Sequence, residues 1–170
     1  MTLAHDDPYN LARFVDAQAN DYSRALAELR TGKKLTHWIW YVLPQLRGLG
    51  SSSRANYYGI GSLAEAGAYL SHPILGQRLR ECVAAINSLT GVSAVEVLGR
   101  TDAAKFQSCL SLFRVVDPTS SGFGEALAKY FAGIPDERSL ALLNLVQHEA
   151  YSSAEPRING HEDNCPPSDG

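Results

Sequence analysis

His37 stands in the aromatic run His37-Trp38-Ile39-Trp40-Tyr41, followed by Gln45, Arg47, Ser51, Ser52, Ser53, Arg54, Asn56 and Tyr57. From Arg30 to Ala64 the chain carries Arg30, Lys33, Lys34, Arg47 and Arg54 but no Asp or Glu. Aromatic bodies beside unopposed cations suit a pocket for a flat, anionic or phosphorylated ligand. In such a pocket Trp38 or Trp40 stacks on the flat group. Arg47, Arg54 and the backbone N–H groups of Ser51–Ser53 hold the anion in a nest. Tyr41, Gln45, Asn56 and Tyr57 are further ligand-side candidates. The same Gly-Ser stretch also reads as a plain connector. It is not a Walker A loop, since no Gly-Lys-Ser/Thr triplet follows, and no strand precedes it as a dinucleotide fingerprint requires.

Acid–base chemistry has two candidates, His37 and Asp102. Asp102 and Lys105 lie three apart, as either a solvated helical ion pair or a polar wall of the pocket beside Gln107, Ser108 and Ser111. In the second case Asp102 orients His37 or a ligand hydroxyl, and Lys105 adds a cation. Gln18, between Val15 and Tyr22 on an apolar helical face, is either a helix-edge amide bonded to backbone or a pocket amide. His37 itself reads as a core histidine or as a functional one. Metal binding lacks an HExxH or HxxxH pattern. The cluster His161, Glu162, Asp163 and Cys165 falls in a polar tail, and no GxSxG elbow supports a serine nucleophile. No cofactor is expected.

Helices must position these groups. Asp7-Pro8 predicts a helix start, and apolar residues at helical spacing continue to a C-terminal stop at Gly32, as one helix or as two broken near Asn20-Asp21. Thr36 is expected to cap a short helix over 37–42, stopped by Pro44, with a loop over 47–59. Further helices are expected from Ser62 to Ser71, from Leu75 to near Thr90-Gly91, and from Ser93 to Leu98. Another starts at Thr101 or Asp102 and runs through Phe113. Two more follow, around Phe123–Phe131 and after Asp136 with Leu140, Leu143 and Val146 inward. Without period-two alternation, the expected fold is all-α, a single-domain irregular bundle of seven to eight short helices over residues 1–150. Residues 151–170 read as a disordered polar and acidic tail.

Composition narrows the partners. The chain of 170 residues has net charge −3, all of it in the tail, so a globally basic nucleic-acid binder is not expected while a local anion site is. No apolar run reaches membrane-spanning length. The N-terminus MTLAHDDPYN lacks the apolar stretch of a secretion signal, so a cytoplasmic address is the expectation. Three widely spaced cysteines suit neither a disulfide framework nor a zinc knuckle. Oligomeric state does not follow from the sequence.

The segments DPYNLARFVDAQ, GKKLTHWIWYVLPQLRGLG, the YLxHPxLGxRL stretch from Tyr69 and TDAAKFQSCLSLF resemble a widespread bacterial and fungal domain family of unknown function. Its mark is HWxWYxxPQxxGLG, and some members carry the label calpastatin. The resemblance spans about residues 6–147 and implies a mainly helical, intracellular single-domain protein. The family is more distantly similar to the NADAR-type N-glycosidases, which act on ADP-ribose-like compounds. Gln18, Asp102, Lys105 and Phe106 carry that likeness, whereas the Asp-Trp-Gly signature is absent. The expected function is binding of a phosphorylated or nucleotide-like small molecule, extending to an N-glycosidic hydrolase. The alternative is a non-catalytic helical interaction module. An ordered aromatic core does not suit calpain inhibition, which needs flexible wrapping segments.

Overall fold

The computed structural model describes residues 6–154, with side chains to residue 145. Nine helices occur among the described residues: α1 (Ala12–Thr31), α2 (Ile39–Val42), α3 (Ser53–Tyr58), α4 (Leu63–Ser71), α5 (Leu75–Asn87), α6 (Ala94–Leu98), α7 (Arg100–Val116), α8 (Ser121–Phe131) and α9 (Glu137–Ala154). No strand accompanies them there; Leu46 and Ile60 form an isolated parallel bridge. The fold is all-α, and α3 is the helix that periodicity missed. Six residues with none buried carry no apolar stripe to read.

Several helix ends differ from expectation. The Asp7 carboxylate accepts from Leu11 N at 2.8 Å and Ala12 N at 2.9 Å, so it does serve the first helix, but across an intervening turn. α1 then runs unbroken past Asn20-Asp21 to Gly32, which adopts φ 84° as the left-handed stop. Thr36 does not cap α2, because its N–H and hydroxyl are spent on Glu28; Trp38 occupies the cap position. α7 begins at Arg100, ahead of Thr101 and Asp102, with Gly99 at the cap. α5 ends at Asn87, before Thr90-Gly91. α9 continues to Ala154, so the first four residues of the expected tail are helical. The rest of that tail, and the cluster of His161, Glu162, Asp163 and Cys165, lie outside the described residues, as does the side chain of Val146.

α6 shows how local chemistry sets a boundary. Ser93 Oγ accepts from Glu96 N at 3.1 Å, and the Glu96 carboxylate accepts from Ser93 N at 2.6 Å, a reciprocal capping box. Ser93→Ala is expected to destabilise the protein by about 1 kcal/mol, read as a small fall in urea midpoint at unchanged slope.

The core forms where α7 packs on α4, α6, α8 and α9 while α5 packs on α1, α4 and α8. Aromatic rings link the layers. Phe14 meets Tyr69 edge-on at 5.0 Å, Tyr69 meets Phe113 at 5.5 Å, and Phe113 meets Phe123 at 5.9 Å. Cys82 and Cys109 are buried free thiols within this core, where burial pushes both above the ordinary thiol range. Among the described residues no helix is long and apolar enough to cross a membrane. Short α2 packs on α1 and α3 on α2, which brings the aromatic-basic segment to one side of the bundle.

Candidate functional site

The segment before α2 is organised by one buried carboxylate. Glu28, 7% exposed on α1, accepts from Leu35 N at 2.5 Å, Thr36 N at 2.7 Å and Thr36 Oγ1 at 2.7 Å, and from Trp38 Nε1 at 3.4 Å. Burial alone would raise its pKa. The bonds from Thr36, Leu35 and Trp38 more than offset that, and the net direction is downward. Lys34 lies over the Trp38 ring at 5.0 Å and pairs with Asp102 at 2.8 Å.

These contacts divide the two tryptophans. Trp38 is 1% exposed with its N–H turned to Glu28, so it fills the core and presents no face to a ligand. Trp40 is half-buried, with the Arg54 guanidinium 5.0 Å and the Lys105 ammonium 4.9 Å from its ring centroid. It lines a shallow, half-open hollow with Leu43, Gln45, Ala55, Tyr58, Gly59 and Lys105, with room for about one water. The Trp40 Nε1–H is buried without a hydrogen-bond partner. Tyr58 stands 5.2 Å from Tyr41, and burial raises its phenol pKa.

The three serines of the expected nest lie outside the lining of the hollow. Ser52 Oγ instead accepts from Ala55 N at 3.1 Å as the cap of α3, and Ser51, Ser52 and Ser53 are exposed away from the hollow's lining. Arg47 is spent on carbonyls, donating to Asn56 O at 3.2 Å and Gly59 O at 3.0 Å, which ties down the end of α3. Asn56 and Tyr57 are exposed on α3; the Asn56 amide reaches only Ser51 O at 3.5 Å. Tyr41 is buried with its hydroxyl donated to Asp21.

Gln18 is a structural amide, not a pocket one. It is 1% exposed and donates to Tyr41 O at 2.7 Å and Tyr69 Oη at 3.2 Å. His37 is exposed, and no hydrogen bond joins it to Asp102 among the described residues. Asp102 is held by Lys34 at 2.8 Å and Lys105 at 3.8 Å, so it orients Lys105 and not the imidazole. Gln107, Ser108 and Ser111 turn away from the hollow: they bond Ile134 O, Asp136 Oδ2 and Asp136 N and anchor α9 to α7. Among the described residues no group of three or more His, Cys, Asp or Glu side chains is placed to hold a metal.

Four contributors escaped the sequence. Leu43, Ala55, Tyr58 and Gly59 line the hollow without any type-specific signal, although Tyr58 adjoins the aromatic Tyr57. A buried pair supports them from behind, Arg13 with Glu65 at 3.3 Å. Arg13 also donates to Tyr57 O at 2.9 Å and Gly59 O at 3.2 Å. Partners so far apart in sequence leave no trace in local spacing.

An all-helical bundle with an aromatic-cationic hollow on one side is thus the class of protein this fold defines. The chain belongs to the family described as Protein of unknown function (DUF1810), whose model matches residues 8–143. It is similar to the conserved hypothetical protein Rv1873 from Mycobacterium tuberculosis, at 48% identity and TM-score 0.80, over 81% of this chain and 99% of that one. No curated protein matches it.

Proposed function

We propose that the Trp40 hollow binds an anionic, phosphorylated or nucleotide-like small molecule. The observation that carries this reading is the buried Trp40 N–H without an acceptor, with two cations over the same ring. A buried donor left unpaired costs about 1–3 kcal/mol. A water or a ligand oxygen that accepts from it would remove that cost. Arg54 is exposed and free to leave the ring, so a flat group can replace its guanidinium on Trp40 while the guanidinium takes the anion.

The hollow is shared by the 37–58 segment and by α7 through Lys105, as a ligand site requires and a plain interaction module does not. The interaction-module reading expects both tryptophans in solid protein; Trp38 fits that description and Trp40 does not. If the bound compound is cleaved at an N-glycosidic bond, as by the NADAR-type enzymes, Asp102 and His37 are the acid–base candidates. Asp102 enters that role from its ion pair with Lys34.

A thermal-shift series with nucleotides, ADP-ribose and phosphosugars tests binding separately from cleavage. A ligand at a hundred times its Kd adds about 2.7 kcal/mol, a rise of about 5–10 °C for a domain of this size. Arg54→Ala should lose at least half of that rise. If no compound moves the wild-type midpoint, or if Arg54→Ala responds equally, the hollow is not a ligand site.

A further inference from the structure

We propose that the hollow selects a terminal group carrying two negative charges, a phosphomonoester, over singly charged groups of the same shape. The inference rests on the ligand reading above and adds the charge state of what binds. Its basis is a local imbalance between cations and carboxylates. Arg54, Lys105 and, at the rim through Gly59, Arg47 approach the hollow. The carboxylate beside them is Asp102, and it is bound more closely by Lys34, at 2.8 Å, than by Lys105, at 3.8 Å. The Lys34 side chain is only 5% exposed, so the closer partner of Asp102 is the buried one.

Three of the other acids nearby are already committed, while Asp16 acts on Tyr58 from outside the hollow's lining without an ion pair among the described residues. Glu28 serves Leu35, Thr36 and Trp38; Glu65 serves Arg13 and Gly61 N; Asp21 serves Tyr41 and Arg24. Among the described residues neither Arg47 nor Arg54 has a carboxylate partner. Arg54 therefore lies on an aromatic face, and Arg47 on neutral carbonyls. Two adjustable cations over one ring match a dianion, and a monoanion would leave one of them uncompensated.

Shape agrees with charge. Because the room in the hollow is close to water-sized, only the tip of a ligand can enter it. A phosphomonoester presents three acceptor oxygens, one for the indole N–H and two for the Arg54 and Lys105 donors. A carboxylate has two oxygens and one charge. A sulfate ester has three oxygens and one charge, so it isolates the contribution of charge.

Isothermal titration of the full chain with phenyl phosphate and with phenyl sulfate at pH 8 and low salt makes the comparison, since the phosphate is then a dianion. Phenyl phosphate should bind at least tenfold more tightly. Arg54→Ala and Lys105→Gln, each checked for folding by circular dichroism, should cut that ratio to threefold or less. Arg114→Ala, an exposed cation away from the hollow's lining, should leave it unchanged. Equal affinity of the two esters for the wild type would overturn the dianion inference while leaving an anion site standing. Binding of neither would remove both proposals.

Discussion

Glu28→Ala is expected to lower folding stability by about 3–5 kcal/mol, a fall in thermal midpoint of about 10 °C or more. The carboxylate lies in the interior and gathers the backbone of Leu35 and Thr36, the Thr36 hydroxyl and the Trp38 indole. Truncation leaves those donors without their acceptor, and it releases the segment that delivers Trp38 to the core and Trp40 to the hollow. Glu28→Gln keeps the shape and one acceptor oxygen but not the charge, so about half of the loss is expected. The pH dependence has a definite sign. The Glu28 pKa is lower in the folded protein than in the unfolded chain. Its contribution is therefore fully present above the ordinary carboxylate range, about pH 4.3, and disappears as pH falls through the folded value. Because glutamine does not titrate, the gap between wild type and Glu28→Gln should narrow below about pH 4. Melts followed by circular dichroism from acid to neutral pH measure both effects. A variant melting within about 2 °C of wild type at pH 7 would mean that this carboxylate does not organise the segment.

Arg13→Met should be similarly costly, about 3–5 kcal/mol. Its guanidinium donates to the carbonyls of Tyr9 at 2.6 Å, Asn10 at 2.9 Å, Tyr57 at 2.9 Å and Gly59 at 3.2 Å, beside Glu65 at 3.3 Å. Loss of the cation strands Glu65, 5% exposed, with the Gly61 N–H at 2.9 Å as its remaining bond. A lone buried charge costs more than the absent pair. Adding Glu65→Gln to Arg13→Met should therefore recover at least about 1 kcal/mol relative to additivity. Urea unfolding of the four-protein cycle reads that coupling, and strict additivity would show that the two groups do not act as a pair. The same substitution reaches the hollow: α3 has no buried residue of its own and is held through its Tyr57 and Gly59 carbonyls by Arg13 and Arg47. Arg13→Met should thus weaken ligand stabilisation even under conditions where the protein stays folded.

Helical periodicity was enough to read the all-α fold and most of its elements, because apolar spacing, Asp136 as a cap and Gly32 as a stop act within a few residues of one another. The same locality explains the misses. α3 offers no apolar stripe, and Thr36 was diverted from capping by a glutamate on another helix. The concentration of aromatic and basic residues between Arg30 and Ala64 was likewise plain from the chain itself. Only the tertiary structure decided what each of them does. Trp38 sits at the non-helical cap position and Trp40 inside α2, so the two part company, one to Glu28 and the core, the other to Arg54, Lys105 and the hollow. Composition placed the cations near the indoles. Which cations keep a free charge depends on carboxylates brought in from distant helices, and that pairing is settled by packing.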